Sequence, residues 1–93
     1  MKELNALLHS QLRLAVMSIL MNVADADFVY IKGITGATAG NLSVQLDKLS
    51  SAGYIEVKKE FVGKKPRTTC AITTLGREAF CEYVEALKEY IKL

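Results

Sequence analysis

The sequence contains few of the residues from which catalytic and metal sites are built. Among 93 residues there are one histidine, two cysteines and no tryptophan. His9, Cys70 and Cys81 are too few ligands for a structural zinc site, and two cysteines are too few for a disulfide framework. The glycines lack the spacing of a dinucleotide- or phosphate-binding loop. We therefore expect no catalytic residue, no metal and no cofactor, with both thiols reduced; the role of Cys81 stays open.

Long apolar runs are also missing. The longest run, residues 14–23, is broken by Ser18 and Asn22 and is too short to cross a bilayer. The N-terminal residues do not form a signal peptide. We expect a cytoplasmic, nucleoid-associated protein without a membrane partner. The length predicts one domain, residues 1–93.

Proline occurs once, at Pro66, inside the most basic segment of the chain. The net charge is only +2, but residues 54–69 carry five of the twelve Lys and Arg residues against two glutamates. A concentrated positive charge favours contact with phosphate. The alternative is a solvated loop that only aids solubility.

Apolar residues at steps of three and four predict the first two helices. The first begins at Ser10, a suitable N-cap, and its apolar stripe continues to Val23. Before it, three leucines can form a separate helical turn. The second spans residues 29–35 and ends at Gly36, which adopts a left-handed conformation at little cost. A short strand at Phe28 is predicted to pair with a later hairpin.

The third helix is the best defined. Thr38 is the expected N-cap, the helix extends to about Ala52, and Gly53 follows as its C-terminal glycine. Leu42, Leu46 and Leu49 form a narrow stripe for burial. The opposite face is small, polar and nearly uncharged, unlike that of an ordinary solvated helix.

A β-hairpin and a last helix complete the prediction. Alternating residues predict strands at 54–61 and 68–73, joined by six residues that form an extended basic tip. The last helix covers residues 75–91 and begins after Thr73 or Thr74. Its apolar residues cover about half of its circumference, more than one packed neighbour needs. A dimer mate is the simplest second neighbour.

The chain resembles the winged helix-turn-helix fold of MarR/ArsR-like transcriptional regulators, and most closely their compact single-domain subgroup in archaea and bacteria. Five motifs carry the resemblance in family order: Leu8–Leu14 (LHSQLRL), Thr38–Leu49 (TAGNLSVQLDKL), Ala52–Ile55 (AGYI), Phe61–Thr69 (FVGKKPRTT) and Thr73–Arg77 (TTLGR). The resemblance implies an α+β, mainly α fold, with a three-helix core, a β-hairpin wing and a C-terminal dimerisation helix.

The resemblance also implies a function. The third helix, about 38–52, is expected in the major groove of double-stranded DNA and the wing, 58–69, on the minor groove and backbone. The protein is then a homodimeric transcriptional regulator. Many relatives carry Arg or Lys where Val44 stands, so sequence discrimination is less certain; Val44 can instead meet a thymine methyl group.

Candidate site residues follow from these placements. Asn41 and Gln45 carry the donor and acceptor that suit adenine, Thr38 contacts DNA or only caps the helix, and Lys48 meets phosphate. Arg13 pairs with an acidic neighbour or touches phosphate. The DNA-binding set is Thr38, Asn41, Val44, Gln45, Lys48, Lys64, Lys65 and Arg67. The dimer-interface set is Leu4, Leu7, Leu8, Phe80, Tyr83, Val84, Leu87, Tyr90 and Ile91.

Two other functions were weighed against DNA binding. A winged helix can serve as a protein–protein interaction module, but the five cations of residues 58–67 argue against it. An enzyme is the weakest alternative, because little chemistry is available. The operator, the regulated genes, the direction of control and any small-molecule effector stay open.

Overall fold

Four helices and a three-stranded antiparallel sheet form in the computed structural model, which describes residues 1–92. The elements are α1 Gln11–Leu20, β1 Ala26–Asp27, α2 Phe28–Thr35, α3 Ala39–Ser51, β2 Ile55–Val62, β3 Lys65–Ile72 and α4 Thr74–Ile91. The sheet order is β1-β3-β2. The predicted mainly helical α+β architecture with a hairpin wing is confirmed. None of the described helices is both long and apolar enough to span a membrane.

Each helix begins where a side-chain oxygen accepts a hydrogen bond from a backbone N–H three residues later, which satisfies a group the helix leaves unpaired. The N-caps are Ser10, Asp27, Thr38 and Thr73. Three of them match the prediction. Because Asp27 caps α2, that helix starts at Phe28, and the short strand lies at residues 26–27 and not at Phe28. Helix α1 ends earlier than its stripe suggested, and Val23 is exposed.

Two glycines end helices in left-handed conformations. Gly36 follows α2 with φ 71°. Gly53 follows α3 with φ 78°, its N–H donates to the Ser50 carbonyl at 2.9 Å, and the N–H of Tyr54 donates to the Leu49 carbonyl at 3.0 Å. This pair of bonds is a Schellman motif. It fixes the direction in which β2 leaves α3 and so where the wing projects.

The core joins α1, α2, α3 and the sheet. The predicted stripe of Leu42, Leu46 and Leu49 is buried there. Two residues predicted for the dimer interface are also buried inside one subunit: Leu8 is 0% and Tyr83 is 4% exposed. Those two assignments were wrong in this fold, because the turn before α1 folds inward and gives these side chains core neighbours.

The wing is a long, tightly closed hairpin and not the predicted six-residue loop. Val62 pairs with Lys65 across a two-residue turn. Gly63 has φ 64°, and no non-glycine residue in the described chain has positive φ, as a type II′ turn requires. Pro66 lies inside β3 because β1 pairs only with Thr69 and Cys70. Its missing N–H therefore faces an open edge.

Candidate nucleic-acid interface

The outward face of α3 is uncovered by the described chain. Thr38, Asn41 and Lys48 are exposed, and Val44 is 50% exposed. Thr38 also caps the helix, since its Oγ1 accepts a hydrogen bond from the Asn41 N–H at 3.2 Å. The predicted groove residues on this face are therefore within reach of a ligand as large as a duplex.

Gln45 is less free than the other predicted residues. It is half-buried, its Oε1 accepts a hydrogen bond from Arg13 Nη1, and its Nε2 donates to Asn41 Oδ1 at 2.9 Å. Arg13 Nε also donates to the Leu7 carbonyl at 2.6 Å. In the fold Arg13 therefore meets an amide and a carbonyl, and no carboxylate among the described residues. The sequence gave one signal for this role, a cation beside a core stripe.

The wing carries its charge along its length. Lys64 lies in the turn and Lys65 beside it, both exposed. Arg67, predicted at the tip, lies two residues further along β3, with its Nη2 3.8 Å from Asp27 Oδ2. The tight turn moves it there by replacing the loop. Lys58 has a partner in Glu60 at 3.3 Å. These exposed pairs are weak and leave the cations available to phosphate.

Apolar residues share the wing tip with the lysines. Phe61 is 75% and Val62 is 55% exposed. The sequence analysis did not assign them to the site, because their alternation with charged residues is also that of a strand with one buried face. Only the length of the hairpin places them beyond the core.

A groove separates α3 from the wing. It is lined by Phe28, Ala39, Ser43, Leu46, Asp47, Val57, Lys59 and Thr68. Ser43 and Asp47 are four residues apart and so lie on one side of α3. The sequence analysis missed both, because it followed the flank of Asn41 and Gln45. The α3 face and the hairpin thus border one continuous surface.

The two thiols lie in different surroundings. Cys70 is buried in β3 and Cys81 is exposed on α4. Burial raises the pKa of the Cys70 thiol to about 11, because a thiolate loses its hydration there. Cys70 is therefore a protonated packing residue at neutral pH, as predicted.

The N-terminal segment lies along α4. The Tyr90 hydroxyl donates to the Lys2 carbonyl at 3.0 Å, and the Lys2 N–H donates to Glu89 Oε2 at 3.1 Å. His9 Nδ1 and the Tyr83 hydroxyl are 2.9 Å apart. Part of the broad apolar face of α4 is therefore covered by its own chain, whereas Ile91 is 74% exposed.

Comparison with known proteins agrees with this geometry. The profile of a family described as a winged helix DNA-binding domain matches residues 12–91. This chain belongs to that family. In this winged helix, α3 occupies the place of the recognition helix and the β2–β3 hairpin is the wing.

Three similar proteins place the winged helix among regulators of transcription. The uncharacterized protein MJ0432 of Methanocaldococcus jannaschii is 31% identical over 84 residues, 90% of this chain and 91% of that protein. A transcriptional regulator homologue from Pyrococcus horikoshii has a TM-score of 0.85 and 29% identity, covering 92% of this chain and 85% of that one. A MarR mutant from E. coli, solved with operator DNA, has a TM-score of 0.68 and 22% identity, covering 83% and 53%.

Proposed function

We propose that this winged helix binds double-stranded DNA as a homodimer and regulates transcription, with α3 in the major groove and the wing on the minor groove and backbone. The observation that carries the proposal is the continuous surface between the two elements. The α3 face is exposed and nearly uncharged, and the hairpin beside it is cationic. The operator complex of the structurally similar MarR supports this assignment at the level of the fold.

The residues of this surface divide into two roles. Lys48, Lys64, Lys65 and Arg67 neutralise phosphates, which fixes the position of the protein without selecting a sequence. Asn41 and Val44 face the bases, Asn41 through its amide and Val44 through contact with a thymine methyl group. Thr38 and Gln45 support Asn41 from the cap and from the next turn.

A homodimer would place two copies of α3 on successive major-groove faces, about 34–36 Å apart along the duplex. The surface available for pairing includes exposed Tyr90 and Ile91. Leu4, Leu7, Phe80, Val84 and Leu87 are partly buried and complete the predicted interface.

Fluorescence anisotropy with duplex fragments of the source genome tests DNA binding. Affinity should fall steeply between low and moderate salt, because each neutralised phosphate releases a counterion. Replacing Lys64 and Lys65 together with glutamate should lower affinity at low salt by about a hundredfold or more and flatten the salt dependence.

Lys92→Glu is the matched control, because it removes one positive charge from the far end of α4, away from α3 and the wing. Its affinity should stay near that of the unaltered protein. The absence of binding at low salt, or equal losses in the wing and control variants, would contradict the proposal.

A further inference from the structure

Three side chains form a chain of hydrogen bonds from the N-terminal segment to the exposed face of α3. The Arg13 guanidinium is held by the Leu7 carbonyl, which accepts from its Nε at 2.6 Å. Its Nη1 then donates to Gln45 Oε1. Gln45 Nε2 donates in turn to Asn41 Oδ1 at 2.9 Å. The chain ends at Asn41, which is exposed.

The direction of these bonds follows from Arg13. A guanidinium has only donors, so Gln45 must turn its oxygen toward Arg13 and its amino group away. Asn41 must then offer its own oxygen to that amino group. Without Arg13, a Gln–Asn pair one helical turn apart can hydrogen-bond in either direction. Arg13 therefore selects one direction and leaves Asn41 Nδ2 as the outward group.

We infer that Arg13 is a positioning residue that makes α3 read guanine in preference to adenine at the base that Asn41 meets; this rests on the DNA-binding function proposed above. An asparagine reads adenine when its oxygen and amino group face the base together, one accepting from N6 and the other donating to N7. Here the oxygen is turned toward Gln45. Guanine presents two acceptors, N7 and O6, and so suits the remaining donor.

This inference changes the sequence-based expectation, which paired Asn41 and Gln45 with adenine. The amide groups are those that suit adenine, but their orientation is set by a residue of another helix. Because α1 and the N-terminal segment hold the guanidinium, Arg13 determines base preference without touching DNA.

Selection from a randomised duplex library tests the inference. The position whose base preference disappears in Asn41→Ala identifies the base that Asn41 meets. The unaltered protein should select guanine over adenine there by about tenfold. Arg13→Met should bring that ratio close to one, because the pair can then adopt both directions. Arg13→Lys, which keeps a donor without an acceptor, should retain guanine.

Gln45→Glu gives the sharpest outcome. A carboxylate accepts from Arg13 and from Asn41 Nδ2 at once, so Asn41 must turn its oxygen outward. The preferred base should change to one with an amino donor in the major groove, adenine or cytosine. Ser18→Glu, which adds the same charge at an exposed position of α1, should leave the preference at guanine.

Selection of adenine by the unaltered protein at the Asn41 position would overturn the inference, and so would an unchanged preference in both Gln45→Glu and Arg13→Met. Failure of the proposed function is distinguishable, because the salt titration would then show no binding. The free protein gives a further check by NMR. Solvent exchange of the Gln45 side-chain amide should be slowed, and Gln45 should lose that protection in Arg13→Lys only partly and in Arg13→Met fully; rapid exchange in the unaltered protein would overturn the inference.

Discussion

At the scale of residues, side-chain chemistry alone predicted some roles and left others undecided. Thr38 and Thr73 were predicted as caps because a hydroxyl just before an apolar periodic run has few other uses. Arg13 was not assigned, because a guanidinium serves carboxylates, carbonyls and phosphates equally well. Its role depends on Leu7 and Gln45, six and 32 residues away along the chain, and only the fold brings these groups together.

Cys70 gives a prediction at this scale. Its pKa is raised from 9.0 to about 11 by burial, so between these values the folded state holds a proton that the unfolded state releases. The stability linked to Cys70 is complete below pH 9 and is lost as the pH rises toward 11. The loss should total about 2–3 kcal/mol in the free energy of unfolding. Urea denaturation across this pH range measures it.

Comparison of two alanine variants isolates this effect from the titration of lysines and tyrosines. Cys70→Ala should lose the part of the pH dependence that belongs to the buried thiol. Cys81→Ala, which removes the exposed thiol, should keep it. Identical pH profiles for the two variants would contradict the assignment.

At the scale of elements, local signals gave the helices and the strands more accurately than the connections. Helix α3 matches its predicted span because an N-cap, a stripe of three leucines and a terminal glycine all agree. The wing turn was misjudged because Pro66 and Gly63 together resembled a loop. Whether a proline is tolerated in a strand depends on whether a neighbouring strand needs its N–H, and the chain shows this only after β1 has paired.

Gly76 gives a prediction at this scale. It is buried in the first turn of α4 against the start of β2, where an added Cβ would lie 2.8 Å from the Tyr54 carbonyl carbon. The obstacle is backbone, so it cannot move aside as a side chain would. Gly76→Ala should lower the free energy of unfolding by about 3 kcal/mol, measured by denaturant titration.

Gly33→Ala is the matched control for that prediction. Gly33 lies in α2 with nothing within 4 Å of an added Cβ. Alanine there should raise stability by about 0.5–1 kcal/mol, because it removes the entropy cost of a glycine in a helix. Equal effects of the two substitutions would show that the contact with Tyr54 does not constrain the chain.

At the scale of the whole molecule, the broad apolar face of α4 indicated a second neighbour. Part of that neighbour is the N-terminal segment of the same subunit. Leu8 and Tyr83 thus became core residues, and the surface left for a partner is smaller than predicted and lies toward the end of α4. Burial inside a subunit and burial between subunits produce the same apolar pattern, so periodicity cannot separate them.

The remaining surface gives a prediction of assembly. Ile91 is 74% exposed at the end of α4. If the subunits pair there, Ile91→Arg should convert a dimer into a monomer in sedimentation velocity, because a buried, unpaired charge is costly. Ile34→Arg makes the same exchange on α2, where the side chain is 57% exposed, and should leave the dimer intact. A monomeric unaltered protein would contradict the proposed homodimer.

The sequence by itself determined the order of the elements, the caps, the leucine stripe and the cationic character of the hairpin, because each depends on neighbours within one or two turns or on composition. Only the tertiary structure decided the length of the wing, the burial of Leu8 and Tyr83, and the link from Arg13 to Asn41. These depend on which distant segments meet, and the periodicity of one segment carries no information about the position of another.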